Sequence, residues 1–216
     1  MKNIFFLSIL ILFNCSVFKK PTVTKEKNSS KDTIVIKTKK DSLPKDIIPV
    51  PIVKEFETIQ WVTIDEAQKL QKLKPKKIFI DFNAIWCGPC RLMEQNTFSN
   101  KDVVKYVNEN FYAVKFNAEG KDSLTFKNIV YKNSNYIEGA YRNNPHDFTI
   151  AMGINAYPTV VFLDENLNLI APIPGYQDVK GFELFLKLFG KNDYLKVNSS
   201  IAFEEYKKSF IFEFKE

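Results

Sequence analysis

Histidine is almost absent from this chain of 216 residues: His146 is the only one, and cysteine occurs three times, at positions 15, 87 and 90. A structural zinc site closes with four nitrogen or sulfur ligands. Cys87 and Cys90 supply two, Cys15 is far upstream, and His146 follows the polar turn Asn143-Asn144-Pro145, where a surface position is expected. No metal site is expected. Cysteine-protease chemistry needs a histidine base beside the thiol, and one histidine in a turn does not make that case. A membrane-crossing run is missing too, because the N-terminal apolar stretch Ile4 to Phe13 is too short to span a bilayer. The part that reads as folded also lacks a basic excess. The net charge is +6, yet residues 19–54 hold ten lysines against four acids, while residues 55–216 hold 20 basic and 21 acidic residues. Nucleic-acid recognition needs its positive charge on the folded surface, so no nucleic-acid partner is expected. There are no internal repeats.

The N-terminal charge and hydropathy have their own reading. Lys2 followed by the apolar run and Asn14-Cys15 reads as a secretory signal over residues 1–15. Cys15, with Leu12 three residues before it, resembles the lipobox of bacterial lipoproteins, in which the cysteine is lipidated and becomes the mature N-terminus. Asn14 departs from the small residue usual before that cysteine. The alternative is an ordinary signal peptide with Cys15 discarded or unmodified. Residues 16–54 are rich in Lys, Ser, Thr and Pro, with no apolar periodicity long enough for a core, and read as a flexible basic tether. Its lysines suit solvation and attraction to an anionic membrane surface. Thr33-Ile34-Val35-Ile36-Lys37 has the pattern of a short edge strand. The expectation is an exported protein of the periplasm or cell envelope, held by an N-terminal lipid.

From Glu55 the composition turns globular. Thr58 to Val62 reads as a strand, and Thr63 with Glu66 as a capping box opening a helix through Ala67, Leu70 and Leu73 that stops before Pro75. Lys77 to Ala84 is near-continuously apolar apart from Asp81, as in a strand covered on both faces. A carboxylate there is costly to bury, so its pKa is expected to be raised. The plainer alternative is an acid satisfied by local hydrogen bonds. Ser99-Asn100 opens a helix burying Val103, Val104 and Val107, and Phe111 to Phe116 forms a strand parallel to the Lys77–Ala84 strand. Residues 121–135 read as a helix with Leu124, Phe126, Ile129 and Val130 as its apolar set. Asp147 to Met152 forms a short helix. Val160 to Leu163 and Leu167 to Ile173 form a hairpin. Asp178 caps a helix through Phe182, Leu186 and Phe189 that Gly190 stops. In the tail, residues 191–216, Ser200 caps a helix bearing Phe203, Tyr206 and Phe210, and the tail is read as packing.

The chain is organised around one junction. The Lys77–Ala84 strand runs into Trp86-Cys87-Gly88-Pro89-Cys90, and helix-compatible Arg91-Leu92-Met93-Glu94-Gln95 follows. Cys-x-x-Cys delivered by a strand to a helix start is a redox arrangement. Unpaired N–H groups and the positive end of the helix dipole favour a thiolate there. Cys87, at the more exposed end, is expected to attack, and Cys90, one turn in, to resolve. A purely structural disulfide is the alternative, but so short a loop adds little entropic stabilisation. Trp86 is expected to shape the contact surface beside Cys87, though both it and Trp61 could be simple core aromatics.

Three segments together, Lys77–Gln95, Lys115 within Tyr112-Ala113-Val114-Lys115-Phe116-Asn117, and Tyr157-Pro158-Thr159 between Gly153-Ile154 and Gly175, resemble thioredoxin over roughly residues 56 to 190. The resemblance implies an α/β fold, a central mixed β-sheet flanked by helices, with a helical insertion at about 121–144 before a cis-proline loop and a C-terminal extension. It implies that Asp81 assists proton transfer to the resolving cysteine, that Lys115 lies near that acid, and that Trp86, Gly88, Pro89, Tyr157 and cis Pro158 receive the substrate. Gly88-Pro89 is the dipeptide associated with reducing members of the family. The expected activity is therefore reduction of disulfides in exported proteins, apocytochrome c among them, resupplied by a membrane electron relay and needing no metal or organic cofactor. The alternatives are a disulfide oxidant or isomerase, or a binding module in which redox activity is incidental. Asn83 and Ile85 replace residues more often aromatic and acidic beside such a site. The stretch between Lys115 and Pro158 is about twice as long as a minimal thioredoxin needs, and connections of that length usually carry function.

Overall fold

The computed structural model describes residues 56–216; the signal segment, Cys15, the basic tether and the Thr33–Lys37 strand expectation lie outside the described residues. Five strands form the central sheet in the order β1-β3-β2-β6-β7. Strands β1 (Trp61–Val62), β2 (Lys77–Asn83) and β3 (Phe111–Asn117) run parallel, and β6 (Thr159–Leu163) and β7 (Leu169–Pro174) continue antiparallel from β2. The sheet is mixed and helices cover it.

Side-chain alternation divides the core. Even positions of β2 (Ile78, Ile80, Phe82) pack with Val114, Val161, Phe148 and α1 (Ile64–Leu73). Odd positions face the other way, and Phe79 joins Met93, Val103, Val107, Phe162, Phe182 and Leu186. Apart from Phe162 of β6, those residues come from α2 (Gly88–Asn96), α3 (Lys101–Asn110) and the later α5 (Val179–Gly190). Asp81 has the parity of Phe79 and therefore points under α2. Helix starts follow local chemistry. Glu66 N–H donates to Thr63 Oγ1 and Thr63 N–H donates back to Glu66 Oε2, completing the capping box. Asn100 Oδ1 accepts from the first turn of α3, and Asp178 Oδ1 from that of α5.

The structure corrects several expectations. Residues 121–135 hold no helix. Leu124–Phe126 (β4) and Ile129–Tyr131 (β5) pair antiparallel about Lys127 and Asn128, whose φ angles of 49° and 64° make a two-residue hairpin turn. The apolar set follows the period of a strand and not that of a helix: Leu124 and Phe126, two apart, are buried, whereas Ile129 and Val130 are exposed. β4 docks on α1 through Gln68 Nε2, which donates to Thr125 O at 2.7 Å, and Asp65, which accepts from Thr125 N–H. The insertion is thus a hairpin and a polar loop, followed by α4 (Asp147–Ala151).

His146 is not at the surface. Its side chain is fully buried and caps α4, Nδ1 accepting from Phe148 N–H at 3.0 Å while Nε2 lies 3.1 Å from the Asp122 carbonyl. A carbonyl only accepts, so the ring is neutral with its hydrogen on Nε2, and burial holds its pKa below the ordinary value. The turn itself stays outside, with Asn144 and Pro145 exposed, and only the ring that follows it is drawn into the core.

Gly190 does not stop α5 by a left-handed turn. It is the last helical residue, Asn192 takes the left-handed conformation (φ 63°), and a Cβ at Gly190 would meet Tyr106 Oη at 2.8 Å. In the tail Ser199, not Ser200, caps α6 (Ser200–Ser209), and Phe210 follows the helix. The packing role is as expected: Phe203, Tyr206 and Phe214 lie against the core. The first strand is shorter than Thr58–Val62, keeping only Trp61 and Val62. β7 forms one margin of the sheet, with Pro172 and Pro174 two positions apart.

Candidate functional site

The parallel pairing of β2 with β3 and the antiparallel pairing of β2 with β6 put three chain segments at one end of the sheet. Phe82 pairs with Phe116 on one side and with Thr159 on the other. The residues after β2, after β3 and before β6 therefore meet there. They include Trp86-Cys87-Gly88-Pro89-Cys90, Glu119 and Tyr157-Pro158.

Cys87 and Cys90 form a disulfide with Cα atoms 5.3 Å apart. Cys87 is the N-cap of α2, Gly88 and Pro89 open the helix, and Cys90 N–H donates to Cys87 Sγ at 3.1 Å. Proline suits that first turn because its missing N–H would have no helical partner. The exposure expectation is reversed: Cys87 is 1% exposed and Cys90 is half-buried. What distinguishes Cys87 is its position as the helix cap, where an amide N–H already points at its sulfur.

Asp81 is 3% exposed, and burial pushes its pKa up to about 7 despite the hydrogen bond from Asn83 Nδ2 at 3.1 Å and the charge of Lys115. Lys115 pairs in register with Asp81 on the neighbouring strand. Its ammonium is bound to Glu94 of α2 at 2.5 Å, and Glu94 in turn works to raise the Asp81 pKa. Burial is the main cause that keeps Asp81 able to carry or release a proton near neutrality, and Glu94 offsets part of the opposing Lys115 charge.

The residues expected to receive a substrate come together as well. The peptide between Tyr157 and Pro158 is cis, Pro158 is buried, and its carbonyl accepts from Gly175 N–H at 2.8 Å. The Tyr157 ring meets Trp86 edge-on at 5.9 Å. Trp86 Nε1 donates to Glu119 Oε2 at 2.8 Å, and the same oxygen accepts from Asn143 N–H at 2.8 Å. Burial, reinforced by the nearby Glu119 charge, raises the Tyr157 pKa to about 12, so its hydroxyl stays protonated.

Among the described residues no group of His, Cys, Asp and Glu is placed to hold a metal ion. Sequence reasoning missed Asn83, Glu94, Glu119 and Arg142. Asn83 and Glu94 carried a detectable signal, two residues beyond Asp81 along the strand and four beyond Cys90 on the helix. Glu119 and Arg142 are brought in by the insertion, whose path no local spacing shows. Of the expected site residues only Cys15 lies outside the described residues.

A family model described as a thioredoxin-like domain matches residues 64–190. No curated protein matches the chain. Among solved structures, a thioredoxin-fold protein from Helicobacter pylori is similar at 19% identity, covering 62% of this chain and 81% of that one, with a TM-score of 0.48. A DsbH oxidoreductase matches at 14% identity over 68% of this chain and 94% of its own, TM-score 0.48. A putative disulphide-isomerase from Bacteroides thetaiotaomicron matches at 22% identity over 62% and 94%, TM-score 0.45.

Proposed function

This chain belongs to the thioredoxin-like family and is built for thiol–disulfide exchange, and from that premise we propose that it reduces disulfides in exported proteins. The observation that carries the reading is the Cys87–Cys90 disulfide at the N-cap of α2, with Asp81 buried in the strand that delivers it and a cis Pro158 loop at the same end of the sheet. In the reduced protein the Cys87 thiolate attacks one sulfur of a substrate disulfide. A mixed disulfide forms and the other substrate sulfur leaves as a thiolate. Asp81, ionised, takes the proton from the Cys90 thiol. The Cys90 thiolate then attacks Cys87 Sγ, re-forming the Cys87–Cys90 bond and releasing the second substrate sulfur. Two electrons pass to the substrate, and its two thiolates become thiols by taking one proton from Asp81 and one from solvent.

Asp81, with a pKa of about 7, populates both protonation states at neutral pH, as a proton carrier needs. Trp86, Gly88, Pro89, Tyr157 and Pro158 receive the substrate segment, and Lys115 tunes Asp81. The cycle needs resupply, which we assign to a membrane electron relay, with apocytochrome c and other exported thiol proteins as acceptors. The chain is held at the cell envelope by a lipid on Cys15. Gly88-Pro89 supports the reducing direction.

Equilibration of the cysteine pair with glutathione buffers tests this. A potential near −270 mV supports a reductase, and one of about −120 to −180 mV makes the protein an oxidant or isomerase. Failure to exchange, or retention of function after Cys87→Ser and Cys90→Ser, makes it a binding module.

A further inference from the structure

Basic residues in this chain are almost all lysine: there are 29 lysines and only two arginines, Arg91 and Arg142. They are far apart in sequence, yet both lie against the loop that carries the disulfide. Arg91, in the first turn of α2, donates from Nη1 to the Ile85 carbonyl at 3.1 Å. Arg142, from the insertion, places its guanidinium carbon 4.1 Å from the centre of the Trp86 ring. That ring cannot turn away, because Glu119 holds its Nε1 and the Tyr157 ring packs against it.

The geometry leaves both guanidiniums able to bind more. The Arg142 guanidinium over the Trp86 ring makes no hydrogen bond among the described residues, and Arg91 makes one, to the Ile85 carbonyl, so donor N–H groups are left over on both. Among the described residues no carboxylate forms an ion pair with either arginine. The carboxylates nearest in sequence are engaged elsewhere, Glu94 with Lys115 and Glu138 with Lys121, and Glu119, which holds Trp86, also accepts from Asn143 N–H. Both arginines are exposed, and Ile85 and Tyr141, beside Trp86 and Arg142, are 62% and 66% exposed. Planar, fixed donor forks are the form in which proteins receive carboxylates, and a lysine ammonium supplies charge without that geometry.

We propose that Arg91 and Arg142 form a carboxylate-recognition element at the rim of the redox site, so that its preferred partners are segments carrying Asp or Glu beside the disulfide. The proposal rests on the oxidoreductase reading and names its substrate class. Arg142 belongs to the insertion, which is then the part of the chain that sets specificity.

Two dye-labelled peptide pairs test it. One pair carries a disulfide flanked by Glu or by Lys; the other has the same flanks with serine in place of each cysteine, and binds without reacting. Anisotropy titration of the oxidised protein with the serine peptides is expected to show the Glu peptide bound at least about fivefold more tightly than the Lys peptide at low salt. That preference declines as salt shortens the screening length. Arg142→Gln and Arg91→Gln each reduce the ratio towards one, and Arg142→Lys restores it only in part. Equal binding of the two peptides by the unaltered protein overturns the proposal. So does a glutamine variant that weakens both peptides alike, which would make the arginines props for Trp86. Reduction of the disulfide peptides is read separately: no turnover with the binding preference intact counts against the reductase function and supports the recognition element.

Discussion

Two carboxylates, Asp81 and Glu183, are buried in the same fold and treated in opposite ways. Glu183, on α5, is fully buried and fully partnered. Its Oε1 accepts from Lys187 Nζ at 2.7 Å and from Glu213 N–H at 2.7 Å, and its Oε2 accepts from Phe214 N–H at 3.1 Å. The C-terminal strap is thereby keyed to the core, and Lys187 also reaches Glu213 at 2.7 Å. Asp81 has one side-chain donor, Asn83, and a lysine neighbour bound to another acid. Burial of a charge is tolerated when its lone pairs are filled, and otherwise the group takes up a proton. Glu183 shows the arrangement of a structural acid, and Asp81 that of an acid kept short of partners so that it can titrate.

Removing each group should separate the two cases. Glu183→Ala leaves Lys187 buried without its main partner and frees the strap, so a loss of about 3–5 kcal/mol is expected, read from urea denaturation of the oxidised protein. Exchange by the remaining folded protein should be unaffected. Asp81→Asn should stabilise. Between 3.8 and about 7 the folded state binds more protons at Asp81 than the unfolded state does. Stability therefore falls as pH rises across that window, and above pH 7 the penalty is fully present, about 4 kcal/mol at most. The variant should gain up to that amount at pH 8 and nothing below pH 4, while resolving mixed disulfides more slowly. Should Asp81→Asn destabilise at pH 8, the contrast between the two acids is lost.

Glu119→Gln weakens a charged anchor of Trp86, with an expected cost of about 1–2 kcal/mol and faster ring motion in time-resolved fluorescence. The smallest effect concerns His146, a buried group that is partnered only when neutral. Its folded-state pKa is depressed below 6.5, so the unfolded state takes up protons first as pH falls. Stability present above 6.5 is lost on acidification towards the folded-state pKa, and His146→Gln should flatten that part of the stability profile.

Much of the frame was legible in the sequence because its signals are local. Thr63 with Glu66, Asn100 and Asp178 each announce a helix start within four residues, and the near-apolar β2 announces a doubly covered strand. The cysteine pair, Asp81 and Pro158 could be placed on those elements once the order of segments was recognised. The hairpin at Leu124–Tyr131 is not legible because a short apolar run fits two periods, and the deciding feature is the left-handed pair Lys127-Asn128, neither of them glycine. The burial of His146 and the meeting of Glu119 and Arg142 with Trp86 are tertiary facts. They depend on how the insertion folds back through Asn133, Asn143 and Asn144, whose side chains donate to the carbonyls of Asn144, Ile137 and Asn135. Exposure of the two cysteines was judged from distance along the helix, while N-capping turns the Cys87 side chain inward.

The prolines of β7 bear on self-association. Gly175 N–H points towards β6, donating to Pro158 O, so positions of the same parity supply the inward hydrogen bonds while Pro172 and Pro174 turn their ring nitrogens outward. A foreign strand approaching that margin finds no donor at either position. The opposite margin, β1, is two residues long, too short to template a pairing. Neither margin of the sheet, among the described residues, is thereby suited to recruit a second copy of this chain into a growing β-aggregate.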